Sequence, residues 1–202
     1  MGVNVRLLRG YLCIAMVAFA TASMAHHPAG TNERLAEVGL AAEIELTAQD
    51  GSRFTLAKTR GKVVAVSFTY TKCADTCPVL TATMVSIQND LGADFGKEVY
   101  FVTISMDPET DRPEMLKQYA DALGCNLDGW AFLTGSEAEI QQVARDYGVF
   151  RRKRDDGEVD HTLLTSIIDR DGMTRVQYIG NRFDPKEFLH DLKLLINEDG
   201  PA

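Results

Sequence analysis

The feature that most constrains the fold of this chain is a threefold alternation of apolar runs with helical patterns. KVVAVSFTY at 62–70 and EVYFVTISMD at 98–107 are near-continuous apolar runs, typical of strands covered on both faces. A segment with apolar residues at helical spacing follows each run, and WAFLTG followed by SEAEIQQVARDYG repeats the pattern. Strands that alternate with helices in this way form a sheet with parallel members and right-handed crossovers. The sequence therefore predicts an α/β protein.

Two hairpins frame this alternation. EIELTAQDGSRFTLA predicts two short strands around a Gln-Asp-Gly turn, and HTLLTSIIDRDGMTRVQYIG predicts two more around an Arg-Asp-Gly turn. A last helix is predicted from Asp184 to about Ile196. A parallel half, an antiparallel hairpin and a closing helix together predict a thioredoxin-like fold. Its mixed central sheet would be flanked by helices and carry an N-terminal β-hairpin extension, all within one domain at 42–197.

The first 41 residues are predicted to lie outside that domain. Arg6 and Arg9, the apolar run LCIAMVAFA and the small residues of TASMA predict a cleavable signal peptide over 1–25. Residues 26–41 are polar and are expected to form a flexible leader. The apolar run is shorter than the 20 or so residues that span a bilayer, so we expect a periplasmic protein that meets membranes only through its partners. The alternative is an uncleaved segment that anchors the protein to the inner membrane.

The charge of the chain argues against one class of function. Its 202 residues carry a formal net charge of −8, without a basic surface large enough to bind nucleic acid. The one basic run, RRKR at 151–154, precedes two aspartates and is predicted to be a solvated loop.

The chemistry of the chain is concentrated in CADTCP, where Cys73 and Cys77 are separated by three residues and Pro78 follows. Proline is tolerated in the first turn of a helix, so Cys77 is predicted at the helix cap, where unpaired N–H groups lower the pKa of a thiol. With Cys125 the exported chain has an odd number of cysteines, and a domain of this size does not need a disulfide for stability. The pair is therefore predicted to act in thiol exchange or metal binding.

A metal site needs a third ligand, and His161 in EVDHT is the best placed histidine for it, at the head of the second hairpin. Two thiolates with one imidazole suit copper, as Cu(I) or Cu(II), whereas structural zinc normally has four protein ligands. Asp160 is expected to point to the opposite face of its strand. His190 and Cys125 are expected to be packing residues, and His26 and His27 to be solvated residues of the leader.

Four blocks in the same order resemble the Sco/SenC family of copper-binding proteins: CADTCP, SMDPETDRPEMLKQYA, FLTGSEAEIQQVARDYGV and VDHTLLTSIIDRDG. The resemblance covers about residues 43–196 and implies a thioredoxin-like fold, with Cys73, Cys77 and His161 as copper ligands. The chain departs from the usual pattern of the family at Thr69, where a glycine is common, and at Ala74, where a proline is common. Lys72 also stands directly before Cys73, which affects what can dock there.

The resemblance implies a metallochaperone that delivers copper to the Cu(A) centre of cytochrome c oxidase. Its partners would be subunit II of that oxidase, or another copper-accepting protein, and a periplasmic thiol reductant. The alternative is a thiol:disulfide oxidoreductase that reduces target cysteines with Cys73 and Cys77 and without metal. A peroxidase of the same fold is a weaker third reading, because two cysteines and a distant histidine do not by themselves make a peroxide pocket.

Overall fold

The computed structural model describes residues 35–198, which form ten strands, four α-helices and two short 3₁₀ helices. The strands are β1 (Gly39–Leu40), β2 (Glu45–Ala48), β3 (Arg53–Thr55), β4 (Val63–Thr69), β5 (Val99–Ser105), β6 (Trp130–Thr134), β7 (Arg151–Lys153), β8 (Val159–His161), β9 (Leu164–Ile168) and β10 (Met173–Ile179). The helices are α1 (Thr76–Leu91), α2 (Pro113–Leu123), α3 (Glu137–Asp146) and α4 (Pro185–Asn197).

Eight of these strands form one mixed sheet in the order β1-β10-β9-β4-β5-β6-β2-β3. The central strands β4, β5 and β6 are parallel, whereas β9 pairs antiparallel with β4 and β10 antiparallel with β9. This is the predicted thioredoxin-like arrangement. The predicted N-terminal hairpin, β2 and β3, extends the sheet at the edge of β6.

Helices cover both faces of the sheet, as the apolar runs predict. Every residue of β4 is buried, and its alternate side chains enter two separate cores. Val64 and Val66 face the core that includes α3, whereas Val63 and Ala65 face the core that includes α1, α2 and α4. The carboxyl ends of β4 and β5 are thereby fixed in a rigid frame, and the loop with the two cysteines leaves the sheet at the end of β4.

Three of the helices begin or end at residues typical of helix ends. Gly124 ends α2 in the left-handed conformation, with φ of 77°, where a residue with a Cβ atom would be strained. Ser136 and Glu139 form a capping box at the start of α3. Asp184 caps α4 by accepting a hydrogen bond from the N–H of Lys186.

The part of the predicted leader that the structure describes is ordered against the sheet. Leu35 is buried, and its carbonyl accepts hydrogen bonds from the buried guanidinium of Arg175. Gly39 and Leu40 pair with β10 as an edge strand. Backbone pairing and the Arg175 contact thus hold residues 35–41 against the sheet in this structure, and the flexible leader over 26–41 stays a prediction. No helix in the described part of the chain is both long and apolar enough to cross a membrane.

The segment before β9 differs from its prediction. Arg151–Lys153 pairs antiparallel with Val159–His161 in a separate two-stranded hairpin, which we call the β7–β8 hairpin. Residues 151–153 of the basic run are therefore a strand rather than a loop, with the Arg151 side chain buried on Met106 and Glu137. The other three residues of the run are exposed, as predicted. His161 ends β8 instead of heading β9, so its position depends on this hairpin rather than on the main sheet.

Candidate metal centre

The cysteine loop connects the end of β4 to the start of α1. Its first turn is closed by a hydrogen bond of 3.2 Å from the N–H of Cys73 to the carbonyl of Tyr70. Asp75 occupies the N-cap position of α1 without a side-chain capping bond, which places Cys77 in the first helical turn. The prediction that Cys77 is the cap residue is therefore wrong: the helix begins earlier than Pro78 indicates, because proline is accommodated within the first turn.

The sulfur of Cys73 occupies the place that a capping side chain normally takes. The N–H of Cys77 donates to Cys73 Sγ over 3.4 Å, and the Thr76 hydroxyl lies 3.5 Å from the same sulfur. Burial raises the pKa of Cys73, but hydrogen bonds from the side chains of Cys77 and Thr76 and from the backbone outweigh it and lower the pKa to about 7. Cys73 is thus the cysteine that becomes a thiolate near neutral pH.

Cys77 has the opposite character, contrary to the predicted lowering of its pKa. Its side chain is fully buried in the core, and this burial, with the adjacent sulfur of Cys73, raises its pKa to about 12. Both cysteines are free thiols in this structure. The pair therefore combines one buried sulfur that hydrogen bonds stabilise as a thiolate with one sulfur that the core keeps protonated.

His161 lies on the adjacent hairpin and contacts the start of the cysteine loop. Its ring packs edge-on against Tyr70 with 5.9 Å between the ring centroids. Its Nδ1 lies 3.1 Å from the carbonyl oxygen of Thr162. A carbonyl oxygen only accepts, so Nδ1 carries the proton of the neutral ring and Nε2 keeps its lone pair for a metal. Burial and the nearby Arg151 charge lower the pKa of His161, which favours this neutral form.

The three predicted ligands do not form a closed ligand set in this structure. Cys73 and Cys77 are in direct contact, and His161 reaches the loop through Tyr70. Nevertheless, within residues 35–198 no group of three or more His, Cys, Asp or Glu side chains is arranged to hold a metal ion. Coordination by all three would need the imidazole and the sulfurs to approach one another.

A buried hydroxyl beside Cys77 fits a thiolate better than a thiol. Thr69 Oγ1 is buried and makes no well-formed hydrogen bond within residues 35–198. Its side chain nevertheless lies near Cys77, where it acts to lower the pKa of that cysteine against the dominant effect of burial. An unsatisfied buried hydroxyl is costly, and a metal-bound thiolate at Cys77 would be an acceptor for it. The residues present therefore fit a metal-bound pair of sulfurs.

Reasoning from the sequence missed the residues that support the loop. Asp111, at the end of the β5–α2 loop, accepts hydrogen bonds from the backbone N–H and hydroxyl of Thr71. The Tyr70 hydroxyl donates to Glu158 of the β7–β8 hairpin over 2.5 Å. The available signal was the polar and acidic run SMDPETD directly after a buried strand, at the sheet edge where the cysteine loop also begins.

The remaining candidates play no part in this geometry. Cys125 is buried in the core with α1 and α2, as predicted, and burial raises its pKa to about 12. Asp160 pairs with Arg152 over 2.7 Å, and His190 is a half-buried residue of α4. His26 and His27 lie outside the described residues.

Comparison with known proteins identifies the family. The model of the SCO1/SenC family matches residues 33–197, which is most of the chain. The chain belongs to the SCO1/SenC family. A curated SCO1/SenC relative, the SCO1 protein homolog of Bacillus subtilis (strain 168), is 31% identical over 149 residues, covering 72% of this chain and 77% of the relative. The chain spans less than half the length of mitochondrial SCO1 homologs from Arabidopsis thaliana and Homo sapiens, 42% and 48% respectively.

Solved structures of SCO1/SenC relatives share the fold. ScoI of Bradyrhizobium japonicum with copper bound is 31% identical, with a TM-score of 0.68 over 77% of this chain and 99% of that one. BsSco, a Sco family cytochrome c oxidase assembly protein described with a disulfide switch, is 26% identical, with a TM-score of 0.72 over 83% of this chain and all of that one.

Proposed function

We propose that this SCO1/SenC protein is a copper metallochaperone that binds copper through Cys73, Cys77 and His161. The observation that carries the proposal is the approach of two free cysteines at the start of α1, where the N–H of Cys77 donates to Cys73 Sγ, with a neutral imidazole packed on the same loop. Soft sulfur ligands select Cu(I), and imidazole supports both Cu(I) and Cu(II). The copper-bound relative from Bradyrhizobium japonicum supports the choice of metal.

Binding would proceed through the two unlike sulfurs. Cys73 offers a thiolate near neutral pH, whereas Cys77 must release its proton to the solvent when it takes up the metal. The hydroxyl of Thr69 could then donate to the new thiolate. His161 would complete the ligand set by moving toward the sulfurs with its hairpin or by a change of side-chain rotamer.

Copper in this protein is a cargo, so release matters as much as binding. A site with three ligands leaves room for a ligand from the acceptor to bind before the first protein ligand leaves. We propose subunit II of cytochrome c oxidase, at its Cu(A) site, as the acceptor, by similarity to the relatives described as oxidase assembly proteins. A disulfide between Cys73 and Cys77 would block binding, so a thiol reductant is a necessary second partner.

A second function, thiol:disulfide exchange with a target protein, is favoured by the contrast between the two cysteines. A sulfur with a pKa of about 7 beside a buried one with a pKa of about 12 resembles a nucleophile and a resolving thiol. The disulfide switch described for BsSco points the same way.

Anaerobic titration of the reduced protein with Cu(I), against a competing chromophoric chelator, separates the two functions. We expect one copper ion per chain, and affinity reduced at least about tenfold in His161→Ala, which loses a ligand worth more than about 1.4 kcal/mol. His190→Ala, a half-buried histidine on α4, is the matched control and should bind like the parent.

The same variants are assayed for reduction of insulin disulfides. The copper proposal expects little reduction and no effect of His161→Ala on disulfide formation between Cys73 and Cys77. Equal copper affinity in the parent and His161→Ala, together with efficient insulin reduction, would establish the oxidoreductase instead.

We also propose that the protein works in the periplasm after removal of residues 1–25. The predicted signal lies outside the described residues, and its support is the sequence pattern alone. Mass spectrometry of the protein purified from its own cell envelope should show a chain that begins at His26. A chain that keeps its first 25 residues and sediments with membranes would support the anchored alternative.

A further inference from the structure

The best supported group outside the ligands is the carboxylate of Asp111. Its side chain is fully buried at the end of the β5–α2 loop. It accepts hydrogen bonds from the hydroxyl of Thr71 over 2.5 Å, from the N–H of Thr71 over 3.2 and 3.3 Å, and from the hydroxyl of Ser105 over 2.5 Å. Two of these groups belong to a single residue, two positions before Cys73.

Burial of a carboxylate costs desolvation free energy. Among residues 35–198, no lysine or arginine forms an ion pair with Asp111. The carboxylate is therefore stabilised there by hydrogen bonds alone, and burial, with the nearby Asp107 charge, outweighs them and raises the pKa of Asp111 above its usual range. Such a fully satisfied polar group fixes the geometry of its partners.

The same loop also holds the hairpin that carries His161. The carbonyl of Met106 accepts a hydrogen bond of 2.6 Å from Arg151 Nε, and Asp107 pairs with Lys153 over 3.0 Å. Arg151 lies directly opposite His161 in the β7–β8 hairpin. Within the loop, the N–H of Asp111 donates to the carbonyl of Asp107 over 2.8 Å. One short segment thus contacts both parts of the chain that supply the proposed ligands.

We propose that Asp111 is a positioning residue for the copper site. By holding Thr71 it fixes where Cys73 lies relative to the loop that supports the His161 hairpin. This inference rests on the proposed function for its copper readout, but its effect on the cysteine loop is independent of copper. It assigns a role to the SMDPETD segment, which supplies no proposed ligand.

The test compares Asp111→Asn, Thr71→Val and Thr71→Ser. Thr71→Val removes the hydroxyl donor and keeps the β-branched shape, whereas Thr71→Ser keeps the donor. Hydrogen bonds to a charged group are among the stronger ones in a protein, so we expect Cu(I) affinity to fall about tenfold or more in Asp111→Asn and Thr71→Val. Thr71→Ser should remain within about twofold of the parent.

Asp191→Asn is the matched control, because Asp191 is a buried carboxylate on α4 that also accepts from a hydroxyl, that of Tyr178. It should lower stability without changing Cu(I) affinity. Parent-like affinity in Thr71→Val, or an equal loss in Thr71→Ser, would overturn the proposal. These two variants decide the matter if Asp111→Asn fails to fold.

A second readout uses the metal-free protein, namely the equilibrium between the Cys73–Cys77 disulfide and glutathione. We expect Asp111→Asn and Thr71→Val to shift this equilibrium at least about threefold, because the Cys73 loop is no longer fixed, and Asp191→Asn to leave it unchanged. An unchanged equilibrium in both loop variants would refute the positioning role. If the parent fails to bind Cu(I) but the shift occurs, the copper function fails while the positioning role stands.

Discussion

At the scale of single residues, the two cysteines differ more than their shared motif indicates. The Cys73 sulfur accepts a hydrogen bond from the N–H of Cys77 at the start of α1 and lies beside the Thr76 hydroxyl, whereas the Cys77 sulfur is enclosed by the core. The polar end of the helix therefore acts on the first cysteine of the pair and the core acts on the second.

This contrast predicts the order and pH dependence of alkylation. The thiolate is the reactive form, so in the reduced protein the rate of Cys73 modification should rise with pH around its pKa of about 7. Cys77, with its pKa raised to about 12, should stay unmodified through pH 9. Iodoacetamide labelling at a series of pH values, read by peptide mass spectrometry, checks both. Prior labelling of Cys77, or a Cys73 midpoint near 9, would contradict this assignment.

Thr69 gives a second prediction at this scale, with opposite effects on stability and binding. Thr69→Val removes a buried hydroxyl that makes no well-formed hydrogen bond in the described part of the chain, so the free energy of unfolding of the reduced, metal-free protein should rise by about 1 kcal/mol. Cu(I) affinity should fall, because the Cys77 thiolate loses its nearby donor. Urea denaturation and Cu(I) competition measure the two effects.

Thr134→Val is the control for Thr69→Val, because Thr134 also has a buried hydroxyl without a partner but lies on β6. It should gain similar stability and keep parent-like Cu(I) affinity. If both variants bind Cu(I) equally well, Thr69 has no role at the site.

The sequence predicted the candidate ligands but not their surroundings. Residue types that supply sulfur and imidazole ligands can be read directly from the sequence, so Cys73, Cys77 and His161 could be proposed as ligands. The pKa of each cysteine depends on its burial and on which N–H groups point at its sulfur. Predicting these pKa values would have required the exact first residue of α1. The position of Pro78 did not supply it, because proline fits at more than one place in the first turn.

At the scale of elements, the β7–β8 hairpin is the part that determines where His161 lies. It is not hydrogen-bonded into the main sheet and is held by side-chain contacts, among them the hydroxyl of Tyr70 on Glu158. The aromatic ring of Tyr70 also packs against His161. Tyr70 therefore links the cysteine loop to the hairpin through both contacts.

Tyr70→Phe keeps the aromatic ring and removes the hydrogen bond from the Tyr70 hydroxyl to Glu158. A partly exposed hydrogen bond of this kind contributes about 1 kcal/mol, so we expect faster amide exchange in β8 and a loss of Cu(I) affinity of roughly fivefold. The disulfide equilibrium of the cysteine pair should stay as in the parent. Tyr178→Phe, which removes a similar bond to Asp191, is the control and should leave β8 exchange unchanged. Parent-like exchange in Tyr70→Phe would show that other contacts hold the hairpin.

The main elements could be predicted because their patterns are long and strongly periodic. The buried strand β4 and the capping box of α3 are examples in which local pattern and tertiary structure agree. The β7–β8 hairpin was missed because its first strand is a basic run with two exposed residues, and only the contacts of Arg151 with Met106 and Glu137 make it a strand. Met106 is distant from Arg151 in the sequence and Glu137 lies on α3, so a local sequence pattern does not indicate these contacts.

At the scale of the whole molecule, the fold brings together segments that are far apart in the chain. The cysteine loop follows β4, the supporting loop with Asp111 follows β5, and the hairpin with His161 follows α3. Because β4 and β5 are parallel neighbours, their carboxyl ends meet at one edge of the sheet. The central claim is that copper at this edge is bound by two sulfurs and one imidazole nitrogen, although these three ligands do not form a closed set within residues 35–198 of this structure.

X-ray absorption spectroscopy of the Cu(I)-loaded protein tests this claim most directly, because it counts the atoms bound to the metal. For the parent we predict a first shell of two sulfurs and one nitrogen, with the outer-shell scattering of an imidazole ring, and for His161→Ala the loss of that nitrogen and its ring signal. A parent spectrum with sulfur ligands only, identical to that of His161→Ala, would contradict the account.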